Sequence, residues 1–289
     1  MGGGSLMHDD GGQTVDGPPA PSEPRPASTV VLARDRDAGG LEVFLVQRHG
    51  KIGFMGGMHV FPGGKVSESD TSGRLRARVL DPESLGAHDV WGEGFGADDA
   101  FALAMAAIRE TFEEAGVLLG EGVPEGPTRA RIRDRLNRGE DFASLLEEID
   151  ARLRLSLLQP LSRWITPDTE PVRFDTAFYL ARAPGAQHAE HDRQETVGGA
   201  WYSPTGALEA ADAGEIRLAP PTSVTLDGLR QASSVDDAMR RARASTIQPI
   251  LPLLRRIGDE MVVIYPGDPA HPLPERALPG PTRRVLRKL

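Results

Sequence analysis

The chain has 289 residues, 39% of them hydrophobic and 26% charged, which suffices for one large or two small well-buried domains. With 33 basic against 42 acidic residues and a formal net charge of −9, it lacks the broad basic surface that nucleic acid requires, so small phosphorylated ligands are the phosphate partners left. Cysteine is absent, which excludes disulfides, thiolate metal sites and cysteine nucleophiles and leaves oxygen and nitrogen as metal donors.

No apolar run is long enough to span a bilayer, so no membrane association is expected. The N-terminus lacks a basic-then-apolar signal, and the final Arg287-Lys288-Leu289 lacks the small residue of a peroxisomal address, which together favour a cytoplasmic protein. Lysine occurs only at 51, 65 and 288 among many arginines, the composition of a GC-rich bacterial genome.

Residues 1–26 are rich in Gly and Pro and read as a disordered segment, followed by an ordered domain over 27–266 and a Pro-rich tail over 267–289. STVVLAR and LEVFLVQR predict two strands joined by a hairpin at DRDAGG. The glycines of HGKIGFMGGMHVFPGGKV fall where a chain turns tightly or lets its backbone approach a ligand. Residues 71–97 show a short helical piece near Leu75–Leu80, then a Gly/Asp-rich run, and read as a surface flap anchored by Trp91 and Phe95.

After the helix at 98–117, two amphipathic helical patterns between 127 and 156 break near Asn137-Arg138-Gly139. LSRWI and VRFDTAFYLA read as strands joined at PDTEP, and ETVGGAWYSP as another. Helical patterns follow at 205–213, 221–231, 234–243 and 246–257, then a strand at EMVVIYP.

The most informative stretch is DDAFALAMAAIRETFEEAGV, residues 98–117. Phe101, Met105, Ile108, Phe112 and Ala115 recur at helical spacing and define a buried face, with Asp98 and Asp99 at the N-cap end and Gly116 as the left-handed stop. Glu110, Glu113 and Glu114 lie three and four positions apart, so their carboxylates share one patch. Like charges so close repel. The patch is either a solvated acidic face or a site for one hard divalent cation such as Mg²⁺.

Arg109-Glu110-Thr111-Phe112-Glu113-Glu114-Ala115-Gly116-Val117 resembles the second half of the Nudix box, G-x5-E-x7-R-E-U-x-E-E-x-G-U, with U aliphatic. Gly64 and Asp70 sit in the register of the first half. Thr111 replaces an aliphatic residue, Asp70 replaces Glu, and 38 residues separate Asp70 from Arg109 where the family has seven, so about 71–97 forms most of an insertion inside the box. GFMGGMHVFPGG, RWITPDTEPVRFDTAFYLA, GGAWYSP, IRLAPPT and YPGDPAHP are similar to the branch of peroxisomal coenzyme A diphosphatases of animals and their bacterial relatives.

The resemblance implies an α/β fold, a Nudix α/β/α sandwich with a mixed central sheet and extra C-terminal helices, acting with Mg²⁺ or Mn²⁺. It implies Glu110, Glu113 and Glu114 as metal ligands, Arg109 as their orienter, and Glu110 or Glu195 as the base. A coenzyme A signature, L-L-T-x-R-[SA]-x3-R-x3-G-x3-F-P-G-G, aligns without gaps at Arg48, Gly57 and Phe61-Pro62-Gly63-Gly64, but has Val46, His49 and Gly53 at three defined positions. Gly53 removes a phosphate-binding arginine. Arg48, Lys51, Gly63, Gly64 and Arg173 are the expected substrate-binding residues, with Lys51 or Arg173 replacing the lost charge.

The expected reaction is hydrolysis of coenzyme A or acyl-CoA to 3′,5′-ADP and 4′-phosphopantetheine, by a monomer or a homodimer. ADP-ribose, NADH or nucleotide-sugar pyrophosphatase activity stands as the alternative. A binding module without catalysis is disfavoured by the complete set of box glutamates.

Overall fold

The computed structural model describes residues 22–50, 55–85, 88–92, 95–192 and 195–285. Strand β1 (Arg25–Asp35) runs antiparallel to β2 (Leu41–Arg48) across the expected hairpin, with Ala33 opposite Val43. Strands β3 (His59–Val60) and β4 (Gly63–Lys65) flank the Phe61-Pro62 corner, β3 pairing β2 and β4 pairing the start of β1. After a 3₁₀ turn at Glu68–Thr71 come α1 (Gly73–Ala77), further 3₁₀ turns at Pro82–Leu85 and His88–Trp91, and then α2 (Ala97–Ala115).

A short β5 (Gly120–Glu121) leads to α3 (Gly126–Leu136) and α4 (Phe142–Glu148), and pairs with β6 (Arg152–Leu153). Strands β7 (Gln159–Ile165) and β8 (Phe174–Arg182) form the second antiparallel pair, and β9 (Thr196–Tyr202) lies along β2. Helices α5 (Pro204–Asp212), α6 (Pro220–Leu229) and α7 (Val235–Ala244) follow. The chain closes with β10 (Pro249–Ile250), β11 (Leu253–Ile257), β12 (Glu260–Ile264) and β13 (Arg283–Val285).

The large sheet runs β10-β7-β8-β1-β2-β3, with β4 and β9 as side partners. It is mixed: β8 lies parallel to β1 over nine residue pairs, whereas β7–β8 and β1–β2 are antiparallel. Alternation along the strands builds two cores. Val30, Leu32, Phe44, Val46, Ala177 and Tyr179 face α2, α3 and α4, while Val31, Ala33, Val43, Leu45, Phe178 and Leu180 face α5, α6, α7 and Tyr265. Helices thus cover both faces, as the α/β/α sandwich requires.

The structure departs from the sequence expectations in four places. Segment 246–257 is not helical: Pro249 and Pro252 remove backbone donors there, and the chain forms β10 and β11 instead. The insertion packs on the core instead of standing off it, with Trp91 and Phe95 the anchors that the sequence suggests. Trp91 is buried with its ring 5.1 Å from that of Tyr179, Leu75 is buried, and the Asp81 carboxylate accepts the backbone N–H groups of Leu155 (2.7 Å) and Ser156 (3.0 Å).

Segment 267–285 is no free tail. Strand β13 pairs with β12, and Arg283 donates twice to buried Asp268. Finally, Gly96 rather than Asp98 or Asp99 is the N-cap of α2, its N–H donating to the Asp99 carboxylate at 2.8 Å.

Candidate active site

Helix α2 presents the acidic patch because its opposite face is locked into the core. Phe101, Met105, Ile108, Phe112 and Ala115 are all fully buried, each large side chain contributing about 1.5–3 kcal/mol. Gly116 ends the helix at φ 67°, and its N–H donates to the Phe112 carbonyl. Thr111, the departure from the aliphatic pattern, is also fully buried. Its hydroxyl donates to the Ala107 carbonyl at 2.7 Å, so the polar atom is satisfied within the helix and the methyl group fills the apolar position.

Arg109 is the hinge of the patch. Its Nε and Nη2 grip Asp70 at 2.8 and 2.9 Å, Nη1 donates to Glu110 at 2.7 Å and reaches Glu113 at 3.3 Å, and Nη2 also meets the Lys65 carbonyl at 3.1 Å. Burial opposes its charge, but the fork on Asp70 and the fields of Glu110 and Glu113 outweigh it and raise its pKa. Asp70, fully buried and 39 positions away in sequence, is therefore the anchor of Arg109. It stands outside the expected site residues, although its register with the box was the available signal.

Glu114 is buried and accepts the Gly63 N–H at 3.0 Å. A Cβ on Gly63 would stand 2.4 Å from the Ser28 carbonyl oxygen, so close backbone approach requires glycine there, and one on Gly64 would stand 2.5 Å from the Glu110 carboxylate and displace it. Arg48 lies at the end of β2, and its field acts on Glu114. Its Nε is buried without a hydrogen-bond partner among the described residues.

Glu195 is exposed, immediately before β9. Its carbonyl accepts the His49 N–H at 2.9 Å and its own N–H donates to Asp192, whose carboxylate also takes the N–H of Thr196. The Glu195 charge acts on Glu110, Glu113 and Glu114 together, so the fold brings it to the helix patch from 81 positions beyond Glu114. Arg173, by contrast, donates to the Thr166 and Ser22 carbonyls and joins no box carboxylate among the described residues. Lys51 and Gly53 lie outside the described residues.

Electrostatically the patch is overcharged. Burial raises the pKa of Glu110 even against Arg109; burial and then the Glu110 charge push Glu113 up to about 7; the same two causes hold Glu114 well above the usual carboxylate range. Arg109 offsets part of the charge of Glu110 and Glu113, and Arg48 part of that of Glu114, but burial and mutual repulsion outweigh both.

Among the described residues, no three His, Asp or Glu side chains are already set as a metal cage. Arg109 holds Glu110 and Glu113, and Gly63 holds Glu114. The donor set nonetheless fits a hard divalent cation, since every donor is a carboxylate oxygen and the surplus charge is what such an ion neutralises.

A sandwich of this topology, with R-E-x-x-E-E-x-G on the helix under a Gly-Gly loop, defines a Nudix hydrolase, an enzyme class that generally uses divalent metal ions. The family model described as the NUDT19 Nudix domain matches residues 83–229, and the chain belongs to this family. It is 30% identical to the acyl-coenzyme A diphosphatase NUDT19 of Homo sapiens, over 86% of this chain and 81% of that one. Against the protein of the same name from Gallus gallus it is 31% identical, over 80% and 73%.

Among solved structures it is similar to a Nudix hydrolase from Alicyclobacillus acidocaldarius, with a TM-score of 0.63 and 28% identity, covering 76% of this chain and 96% of that one. Among the described residues no helix is long and apolar enough to cross a membrane.

Proposed function

We propose that this enzyme is a Mg²⁺- or Mn²⁺-dependent pyrophosphohydrolase that splits coenzyme A or an acyl-CoA into 3′,5′-ADP and (acyl-)4′-phosphopantetheine. The observation that carries the reaction class is the overcharged carboxylate cluster on α2. The substrate class is supported by the activity for which its relatives from Homo sapiens and Gallus gallus are named, and by Arg48, Gly57 and the Phe61-Pro62-Gly63-Gly64 loop in the coenzyme A register.

A divalent ion held by Glu110, Glu113 and Glu114 would supply charge neutralisation of the diphosphate and acidify a water. The protein's own groups do the positioning that phosphoryl transfer chiefly demands. Arg109, fixed by Asp70, sets the directions of Glu110 and Glu113. Glu195 is the exposed carboxylate of the cluster, whereas Glu110 is engaged by Arg109, so Glu195 takes the proton of the attacking water. The water oxygen bonds to one phosphorus, and the bridging oxygen leaves with the other phosphate. The Arg48 guanidinium is the cation beside the glycine loop and offsets phosphate charge as the substrate settles.

The test is kcat/KM for coenzyme A, an acyl-CoA, ADP-ribose and NADH with Mg²⁺ or Mn²⁺, and with excess chelator. Coenzyme A or its acyl form should give the highest ratio, and chelator should abolish turnover. A ratio favouring ADP-ribose or NADH by more than about tenfold, roughly 1.4 kcal/mol, overturns the substrate assignment.

A further inference from the structure

The C-terminal end of α2 is held by groups from outside the box. Arg133, on α3, donates from Nε to the Glu113 carbonyl at 2.8 Å. Its guanidinium lies so close over Gly116 that a Cβ there would stand 3.0 Å from Nη1. Two residues on, the Ala115 carbonyl accepts the N–H of Glu190 at 3.0 Å, and Leu118 exchanges two hydrogen bonds of 2.9 Å with the Gln187 side chain. The loop that delivers Glu195 is thereby docked on the last turn of the metal-binding helix. The carboxylates facing the Arg133 charge are Asp192 and Glu190 on that loop, Asp134 on its own helix and Glu114 on α2.

A guanidinium at a helix C-terminus has an ordinary explanation, since it satisfies an open carbonyl and complements the dipole. Arg133 goes further. Its Nη2 is buried without a hydrogen-bond partner among the described residues, a cost that a purely capping residue on an exposed helix end avoids. Its charge also faces carboxylates on both elements that must act together: Glu114 on α2, and Glu190 and Asp192 on the segment that precedes Glu195.

We propose that Arg133 is a positioning residue for catalysis, fixing the end of the box helix and the Glu195 loop at one separation so that the metal-binding carboxylates and the base act on the same diphosphate. Arg133 touches neither substrate nor reacting atoms. The proposal rests on the catalytic roles given above for Glu113, Glu114 and Glu195.

The test compares full-length Arg133→Ala, Arg133→Lys and, as a control from the exposed side of the same helix, Arg131→Ala. Four quantities are read: kcat and KM on the best substrate of the wild-type protein, the affinity for Mn²⁺ alone followed by electron paramagnetic resonance, and the folded fraction by circular dichroism. A displacement of about 1 Å at a reacting centre costs on the order of a hundredfold, so Arg133→Ala should lower kcat by about that factor with KM changed less than about threefold.

Mn²⁺ should bind Arg133→Ala about tenfold more weakly, since its ligands are less well fixed. Arg133→Lys, which keeps a donor for the Glu113 carbonyl, should recover at least about tenfold of the lost kcat. Arg131→Ala should match wild type. Unchanged kcat and Mn²⁺ affinity in folded Arg133→Ala overturn the proposal, as does a rise in KM at constant kcat, which would make Arg133 a substrate contact. A loss no larger than the loss of folded protein also overturns it. Because Mn²⁺ binding needs no substrate, failure of the coenzyme A assignment leaves this measurement interpretable.

Discussion

Two buried aspartates in this molecule are each gripped by an arginine through two hydrogen bonds, and they serve opposite ends. Asp268, near the C-terminus, receives Arg283 at 2.6 and 2.8 Å, the Thr282 hydroxyl at 3.0 Å and the Ala270 N–H at 2.9 Å. Its pKa lies far below the usual carboxylate range, led by the Arg283 hydrogen bonds. Every charge there is matched, so the unit ties the last strand to the body and has nothing left for a ligand.

Asp70 receives Arg109 in nearly the same geometry, but that guanidinium is shared with Glu110 and Glu113, and Glu114 stands alongside. The pair is the same; the surrounding balance differs. Matched charge gives a fastening, and unmatched buried charge gives a site that waits for a cation.

The comparison is tested most severely at the surplus carboxylates. Glu113→Gln and Glu114→Gln should each reduce kcat by roughly two to four orders of magnitude, as removal of charge-stabilising groups does elsewhere. Both variants should retain the fold, because each removes a buried repulsion. A steady-state assay and a thermal melt check both halves of the statement. Near-wild-type turnover in both would dissolve the distinction between site and fastening.

Asp70→Asn breaks the two-pronged grip on Arg109, whose charge still faces Glu110 and Glu113, and should cost about 1–3 kcal/mol of stability, measured by urea denaturation, with activity lost as Glu110 and Glu113 lose their fixed tether. Asp268→Asn should leave kcat/KM within about threefold of wild type and lower the thermal midpoint by about 2–4 °C, since only the attachment of the terminal strand is weakened. Equal effects of the two substitutions on activity would break the comparison.

The smallest effect is in pH. Glu113 is pushed to about 7 against an ordinary 4.5, so between those values the folded chain keeps a proton that the unfolded chain has released. Stability contributed by that proton is present at low pH and is lost as pH rises through the window toward 7. In chelator, the thermal midpoint should therefore fall between about pH 5 and 8 in wild type. The fall should flatten in Glu113→Gln, and Mg²⁺ should raise the midpoint more at the upper pH than at the lower.

The sequence by itself determined a helix over 98–117, found at 97–115, with its buried face and the three glutamates, because a 3.6-residue period and an αL glycine are local properties. It also determined strands at STVVLAR, LEVFLVQR, LSRWI and VRFDTAFYLA, where branched and aromatic residues run together; the structure extends the first back to Arg25, inside the segment expected to be disordered. At 246–257 the apolar spacing of Ile247, Ile250, Leu251 and Leu254 suits a helix. The two prolines rule that out, and local pattern misled where backbone chemistry decided.

Only the tertiary structure decided that Asp70 meets Arg109 across the insertion, that Glu195 comes to the same patch from β9, that Arg173 is engaged by backbone carbonyls, and that Arg133 closes the end of the box helix. These are contacts between residues far apart in sequence, fixed by sheet register and helix packing. The chemistry of each side chain is written in the chain, whereas the charge balance around it exists only once the elements have packed.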